Sequence, residues 1–501
     1  MLTQENISQP KQSKSYNLKA WSMGYESQPN EYDYWIDEVE GEIPHQLEGT
    51  LFRNGPGLFD INGIRIQHPF DGDGMISAIA FRGGKAHFIN RFVRTEGYVA
   101  EQKAGKFLYR GVFGTQKPGG WLANIFDLKN KEIANTNVIY WGGKLLALWE
   151  ASEPYCLNPK TLETIGKDYL DGILAPGEAF SAHPRFDPSC QWNNGNPCLV
   201  NFAIKPGIST TITIYEINQD GKLLHSQKVS VPGFAFVHDF AITPNYCIFF
   251  QNPVTLNPFP FLLGLKGAGE CLKFYPHKPT KIIVIPRNQG MGKQKQSQEG
   301  VKILETTAGF IFHHGNAFEQ GDEICVDSIC YNSLSQVETK GDFREIDFDA
   351  MSPGQLWRFT LNLKDLTVKN QLLLERCCEF PYVNPHRVGH DYRYLFIGAA
   401  HNPTGNAPLQ AILKLDINNS EEQIWSGAPH GFVSEPIFVP RPHATTEDDG
   451  WVLSLVYDSS HHRSDVVILD GRNLNEEPVA RLHLKHHIPY GLHGSWTPQV
   501  F

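Results

Sequence analysis

The 501-residue sequence has little that would carry it across a membrane, onto nucleic acid or into an oxidising compartment. It has no run of about 18 apolar residues, the length a helix needs to span a bilayer. Its N-terminus, MLTQENISQPKQSKS, is polar and has no apolar core, so it does not read as a secretory signal. Residues 1–18 are expected to form a disordered tail. Positive charge is in deficit, with 44 Lys and Arg against 54 Asp and Glu and a formal net charge of −10. That balance gives no electrostatic footprint for nucleic acid; it leaves a membrane open, because apolar docking needs no basic patch. The nine cysteines are odd in number, none stands in CxxC or zinc-finger spacing, and Cys377 and Cys378 are adjacent, which suits a disulfide poorly. Such usage fits a reduced, cytosolic compartment. No glycine-rich dinucleotide fingerprint follows a strand and no Walker loop is present, so nothing points to nicotinamide, flavin or nucleotide chemistry. Long amphipathic helical patterns are scarce.

What is abundant is the material of turns: 45 glycines and 33 prolines. From about Tyr32 short apolar segments alternate with turn residues, as in GTLFRN (49–54), AHFINRFV (86–93), TTITIY (210–215), KIIVI (281–285), YLFIG (394–398), GWVLSLVY (450–457) and SDVVIL (464–469). The stretch VIYWGGKLLA (138–147), with Gly-Gly between apolar flanks, is a hairpin signal. Length alone would suggest about three domains, but strand–turn–strand units over residues 19–501 point to one all-β unit. A β-propeller closes such a chain with little exposed edge, and a period of roughly 40–50 residues per blade allows seven blades with elaborate loops.

One segment breaks the pattern. Residues 252–271, NPVTLNPFPFLLGLKGAGEC, carry Phe259, Phe261, Leu262, Leu263 and Leu265 among prolines. Two readings are open: a lid packed on the core, or an exposed apolar patch at a tunnel mouth that dips into a bilayer.

Twenty histidines make any single one uninformative, since most are surface or hydrogen-bonded core residues. Four have apolar or small neighbours: His183 in AFSAHPRFD, His238 in GFAFVHDFAIT, His313 in GFIFHHGNAFE and His493 in PYGLHGSW. The last lies between two glycines eight residues from the C-terminus, a setting that allows a tight backbone turn and close approach of other groups. Gaps of 55, 75 and 180 residues place the four on different blades, whose strand ends can converge on a central axis. Four neutral imidazoles suit Fe(II) and leave an octahedral ion two open positions, whereas they would close a tetrahedral zinc site into a structural one. Metal-bound histidines commonly donate their second N–H to a carboxylate, and Glu150, Glu379 and Glu435 stand in apolar flanks. The alternative for these acids is an ordinary salt bridge to arginine.

The segments GTLFRNGPG (49–57), HPFDGDGM (68–75), the four histidine flanks, EFPYVNP (379–385), SEPIFVPRP (434–442) and HHIPYGLHGSW (486–496) together resemble the carotenoid cleavage oxygenase family, from about residue 20 to the end. The stretches FVRTEGYVAEQKAGK (92–106), FGTQKPGGW (113–121) and GNAPLQAILK (405–414) resemble its apocarotenal-cleaving branch. The resemblance implies a seven-bladed β-propeller under a helical and loop dome. It implies one Fe2+ on the axis held by His183, His238, His313 and His493, with His314 the alternative to His313. Glu150, Glu379 and Glu435 would serve His238, His313 and His493 respectively, leaving His183 without a glutamate. With O2 as co-substrate, one conjugated C=C is cut into two carbonyls; for this branch the bond is the 15,15′ bond of apocarotenals, giving retinal and a shorter dialdehyde. Thr136 matches a position whose methyl crowds one open iron site. Phe70, Phe113, Trp149, Phe236, Phe312 and Tyr331 would line the tunnel for an apolar polyene, the alternative for each being core packing. A cytoplasmic enzyme docked at a membrane surface through Phe259, Phe261, Leu262, Leu263 and Leu265 is the expected setting. Other bond choices, stilbene-type cleavage, isomerohydrolase activity and a non-enzymatic ligand-binding propeller are the alternatives.

Overall fold

A computed structural model describes residues 14–287, 300–307, 309–334 and 342–501. The chain forms seven antiparallel sheets arranged as the blades of a propeller. Blades 2 to 6 follow in chain order over residues 137–167, 185–232, 240–306, 310–374 and 378–426. Blades 1 and 7 are shared between the two ends of the chain. Gly494–Thr497 pairs with Gly49–Leu58 in blade 1, and Glu38–Gly41 pairs with Ala480–His483 in blade 7. The strand Gly494–Thr497 is thereby held at one end of blade 1, directly after His493.

Strand periodicity explains why the ring holds together. Successive residues of a strand face opposite sides of its sheet, so a blade with two apolar faces packs on both neighbours. In Tyr246–Gln251, Cys247 and Phe249 pack into the core shared by blades 3 and 4, while Ile248 and Phe250 pack into that of blades 4 and 5. Equivalent buried clusters fill each successive interface and include one between blades 7 and 1, where Ile79, Phe81 and Phe88 meet Ile437, Trp451 and Leu453. The predicted Gly-Gly hairpin forms as expected: Trp141 pairs with Lys144, and Gly142 and Gly143 take φ of 59° and 77°.

The covering dome is mostly loop, with short helices in the connection between blades 1 and 2 and inside blade 4. Glu96–Ala104 is capped by the Thr95 side chain and by Gly105 in the left-handed conformation. Arg110 is fully buried and ties two of the loops together. Its guanidinium donates to the carbonyls of Asn124, Asp127, Phe261 and Lys266 and lies 4.0 Å over the Phe261 ring. Of the expected N-terminal tail, residues 1–13 lie outside the described residues. Residues 14–18 dock instead: Ser15 Oγ donates to Gln410 Oε1 at 2.9 Å, Tyr16 meets Phe348 edge-on, and Leu18 opens a helix whose Trp21 is buried.

Candidate metal centre and its cavity

Four blades each deliver one histidine to the axis from the strand at one end of their sheet. His183 and His238 stand two residues before Arg185–Asp187 and Phe240–Ile242, His313 lies in Phe310–Gln320, and His493 directly precedes Gly494–Thr497. The remaining three blades deliver the carboxylates. Glu150 follows Lys144–Leu148 in blade 2, Glu379 lies in Cys378–Val383 of blade 6, and Glu435 sits between Gly431–Val433 and Ile437–Pro440 of blade 7.

One ring nitrogen from each of the four imidazoles falls within 4.8 Å of the others. The Nε2 atoms of His183 and His238 are 2.9 Å apart. On the far side of the rings, Nδ1–H of His238 donates to Glu150 at 2.6 Å, that of His313 to Glu379 at 2.6 Å, and that of His493 to Glu435 at 2.8 Å. Those bonds fix the tautomer and turn each Nε2 lone pair inward. Among the described residues no carboxylate lies within ion-pair reach of His183. The Nε2 of His313 is buried with no hydrogen-bond partner, an arrangement that costs free energy unless something binds there. Burial and the neighbouring imidazoles hold His183 far below its ordinary pKa, and burial outweighs Glu435 to lower His493 as well. At His313 the Glu379 carboxylate outweighs burial and raises the pKa; a divalent ion needs each imidazole neutral with its lone pair free, so at His313 it displaces a proton. The donor set is consistent with iron. His314 points elsewhere: its ring bonds Ser328 Oγ at 2.7 Å and packs on Phe250.

The carboxylates are themselves anchored. Glu435 accepts from Arg53 and from Gly494 N at 3.0 Å; Glu379 accepts from Tyr331 Oη at 2.8 Å and Phe380 N at 2.7 Å. Phe380 takes φ of 59° at a break in the register of its strand, and its ring packs against His313 and His493. Below the imidazoles an ion pair joins three of the histidine segments. Arg185 bonds Asp239 and also donates to Phe240 O at 2.8 Å and His314 O at 2.9 Å, while Asp239 accepts from His314 N at 2.8 Å. The backbone of His493 is pinned between blades 1 and 2, donating to Thr136 O at 3.1 Å and accepting from Asn54 N at 2.8 Å. Among the described residues one other cluster of comparable spacing, Asp187, Cys190 and Cys198, already holds a cation: Arg287 bonds Asp187 at 2.7 Å and Glu216 at 2.8 Å.

The four-histidine site opens on a cavity of about 590 Å³. Thr136, Trp149, Phe236, Phe312, Phe113, Phe70 and Tyr331 all line it, as do Phe380, Leu492 and His68, which the sequence reading did not single out. Phe312 meets His238 edge-on at 5.4 Å, so the aromatic wall reaches the imidazoles. Toward the surface the wall includes Lys266, Gly269 and Glu270 of the 252–271 segment. In that segment Phe259, Leu263 and Leu265 are exposed. Phe261 and Leu262 are half-buried, Phe261 under Arg110, and so form the base of the patch. Trp121, Leu122, Phe126 and Leu128 extend the exposed apolar area from a neighbouring loop, joined by a bond from Phe126 N to Leu262 O. Their sequence signal, WLANIFDL, is short and is interrupted by polar residues. Among the described residues no helix is long and apolar enough to cross a membrane.

Comparison with known proteins places this geometry in context. The family model described as RPE65, retinal pigment epithelial membrane protein, matches residues 25–498. The chain is 56% identical over 498 residues to the apocarotenoid-15,15′-oxygenase of Synechocystis, covering 99% of this chain and 100% of that protein. It is 31% identical to lignostilbene-alpha,beta-dioxygenase isozyme III of Sphingomonas paucimobilis, covering 92% and 93% of the two chains. The crystal structure of a cobalt-substituted Synechocystis ACO matches with a TM-score of 0.94 at 56% identity, over 97% of this chain and 100% of that one.

Proposed function

Because the chain belongs to the RPE65 family of carotenoid cleavage oxygenases, we propose that it cuts the 15,15′ double bond of apocarotenals, giving retinal and a shorter dialdehyde. The observation that carries the reading is the set of four inward-facing imidazoles at the end of an aromatic-lined cavity. One Fe2+ held by His183, His238, His313 and His493 would supply the binding and activation of O2, a ground-state triplet that otherwise reacts slowly with a singlet alkene.

The protein's own part is positioning and exclusion. Glu150, Glu379 and Glu435 hold three rings by their Nδ1–H groups, so the lone pairs stay aimed at one point. Phe236, Phe312 and Trp149 offer flat apolar surface on which a rigid polyene packs and from which water is excluded. Thr136, at the axial end of blade 2, bounds the cavity beside His493. Tyr331 lines the same wall and spends its hydroxyl on Glu379, leaving an apolar face to the substrate. The bond chosen depends on how far the chain slides in before its leading end meets the cavity floor.

An apolar polyene partitions into bilayers, so its collection requires contact with one. The exposed residues Phe259, Leu263, Leu265, Leu122 and Phe126 beside the cavity wall support docking of a cytoplasmic protein on a membrane surface. The test is incubation of iron-loaded protein with a series of apocarotenals under isotopically labelled dioxygen, followed by chromatography and mass analysis. Labelled retinal is the expected product. Cleavage of a stilbene in preference to any apocarotenal would overturn the substrate class, and isomerisation without chain scission would overturn the reaction.

A further inference from the structure

The cavity wall is apolar apart from a few polar groups, and most of those are committed. Asn135 donates to Phe70 O at 3.0 Å and Gly72 O at 2.8 Å, and Glu270 accepts from Gly267 N at 2.6 Å. His68 differs. Its Nδ1 accepts from Phe70 N at 3.1 Å, capping the short helical turn Pro69–Asp71. A neutral imidazole that accepts at Nδ1 carries its proton on Nε2. The ring is held in place by Phe113, stacked at 4.9 Å, and by Phe70, edge-on at 4.8 Å. Burial pushes its pKa down to about 3, so the imidazole is neutral at any working pH. The residue lines the cavity, and among the described residues no group accepts from Nε2–H. Phe113 in turn packs against Gly269, which sets His68 beside the part of the wall that the 252–271 segment forms.

We propose that His68 reads the end group of the substrate, donating from Nε2 to an oxygen at the terminus of the polyene that lies nearest the mouth. The inference rests on the reading that this cavity takes an apocarotenal. An oxygen drawn into an apolar tunnel loses its water hydrogen bonds and gains one partner if it reaches His68. A hydrocarbon terminus at the same place leaves Nε2–H unpaired. The chemical class recognised is therefore an accepting oxygen, from either a chain-end aldehyde or a ring hydroxyl. His68 acts here as a specificity-determining residue; it takes no part in the scission.

The test uses iron-loaded full-length protein and two matched substrate pairs: an apocarotenal against the same chain ending in methyl, and a 3-hydroxy ring against the unsubstituted ring. Wild type is expected to favour the oxygenated member of one pair by about tenfold in kcat/KM, mostly through KM, and that pair identifies which end lies at the mouth. His68→Phe keeps the ring packing and is expected to lose the preference. His68→Asn and His68→Asp can both cap Phe70 N, but only the amide offers a donor. Asn is expected to retain part of the preference and Asp to lose it, a contrast that stands even if the Phe variant does not fold. A wild-type enzyme with no preference in either pair overturns the inference, as does a preference that survives in both Phe and Asp variants, or one abolished by Lys266→Met. Wild type that cuts none of the four compounds overturns the underlying reading itself.

Discussion

Asp239→Ala is the most informative perturbation of the metal centre that leaves every candidate ligand in place. Asp239 is 4% exposed and accepts from Arg185 and from the backbone N–H groups of His314 and Phe240. Arg185 spans the same three segments, donating to the carbonyls of Phe240 and His314. Residues 183–185, 238–240 and 313–314 are therefore tied by one ion pair directly beneath three of the four imidazoles. Removing one partner of a buried pair costs about 3–5 kcal/mol; with the Arg185 side chain 19% exposed, the low end, about 3 kcal/mol, is expected. If half of that falls on the metal-bound arrangement, affinity drops about tenfold, since 1.4 kcal/mol is a factor of ten. Asparagine should be little better: Arg185 and His314 N share Oδ2 while Phe240 N bonds Oδ1, so its amide keeps one set and presents a donor to the other, and it lacks the charge that pairs with Arg185. Chelator competition against Fe(II) or Co(II) reads the affinity, and denaturant unfolding of the metal-free protein reads the stability. An Asp239→Ala variant that binds metal and unfolds like wild type would refute the reasoning that this pair organises the centre.

Three further expectations follow from the same geometry. His313→Ala should lose stoichiometric iron, whereas His314→Ala should keep it and lose only packing and its bond to Ser328; metal analysis of the two purified variants separates the adjacent histidines, and equal iron loss in both would contradict the assignment. Phe259→Asp with Leu265→Asp should release the protein from liposomes without changing iron content, and unchanged flotation with vesicles would remove the docking surface. Burial raises the pKa of Asp239, Glu379 and Glu435, but the Arg185 charge at Asp239, the His313 ring at Glu379, and the His493 Nδ1–H bond with the Arg53 charge at Glu435 more than reverse it and hold all three carboxyls below their ordinary values. A depressed folded pKa contributes stability above the unfolded value and loses it as pH falls through the folded one, so metal-free protein should weaken below about pH 4.5. Glu435→Gln should flatten that slope in denaturant titrations, and an unaltered slope would argue against its share.

Much of the fold was legible because strand signals are local. The Gly142-Gly143 turn and the apolar runs that pack both faces of a blade need only neighbours in sequence to be recognised. The glycines around His493 suggest both a tight turn and close approach, and the structure uses only the second. A Cβ on Gly494 would collide with the Phe52 carbonyl, and neither Gly491 nor Gly494 takes a positive φ. The tie between Arg185 and Asp239 was not legible, because 54 residues separate two charges whose meeting depends on blade closure. Phe380 gave no signal, since nothing in the sequence marks a phenylalanine held at positive φ by a register break. The apolar patch was read only in part: prolines and leucines mark 252–271, but Trp121–Leu128 joins it through the buried Arg110. His68 stands in the sequence only as the first residue of HPFDGDGM, because its role depends on which ring nitrogen the Phe70 amide occupies.

X-ray absorption at the iron edge, on protein loaded with Fe(II) and analysed for metal, bears most directly on the whole account. One iron per chain with a shell of four imidazole nitrogens, reduced to three and bound far more weakly in His493→Ala, is the predicted result. Iron bound without imidazole scattering, or undiminished in His493→Ala, would contradict it.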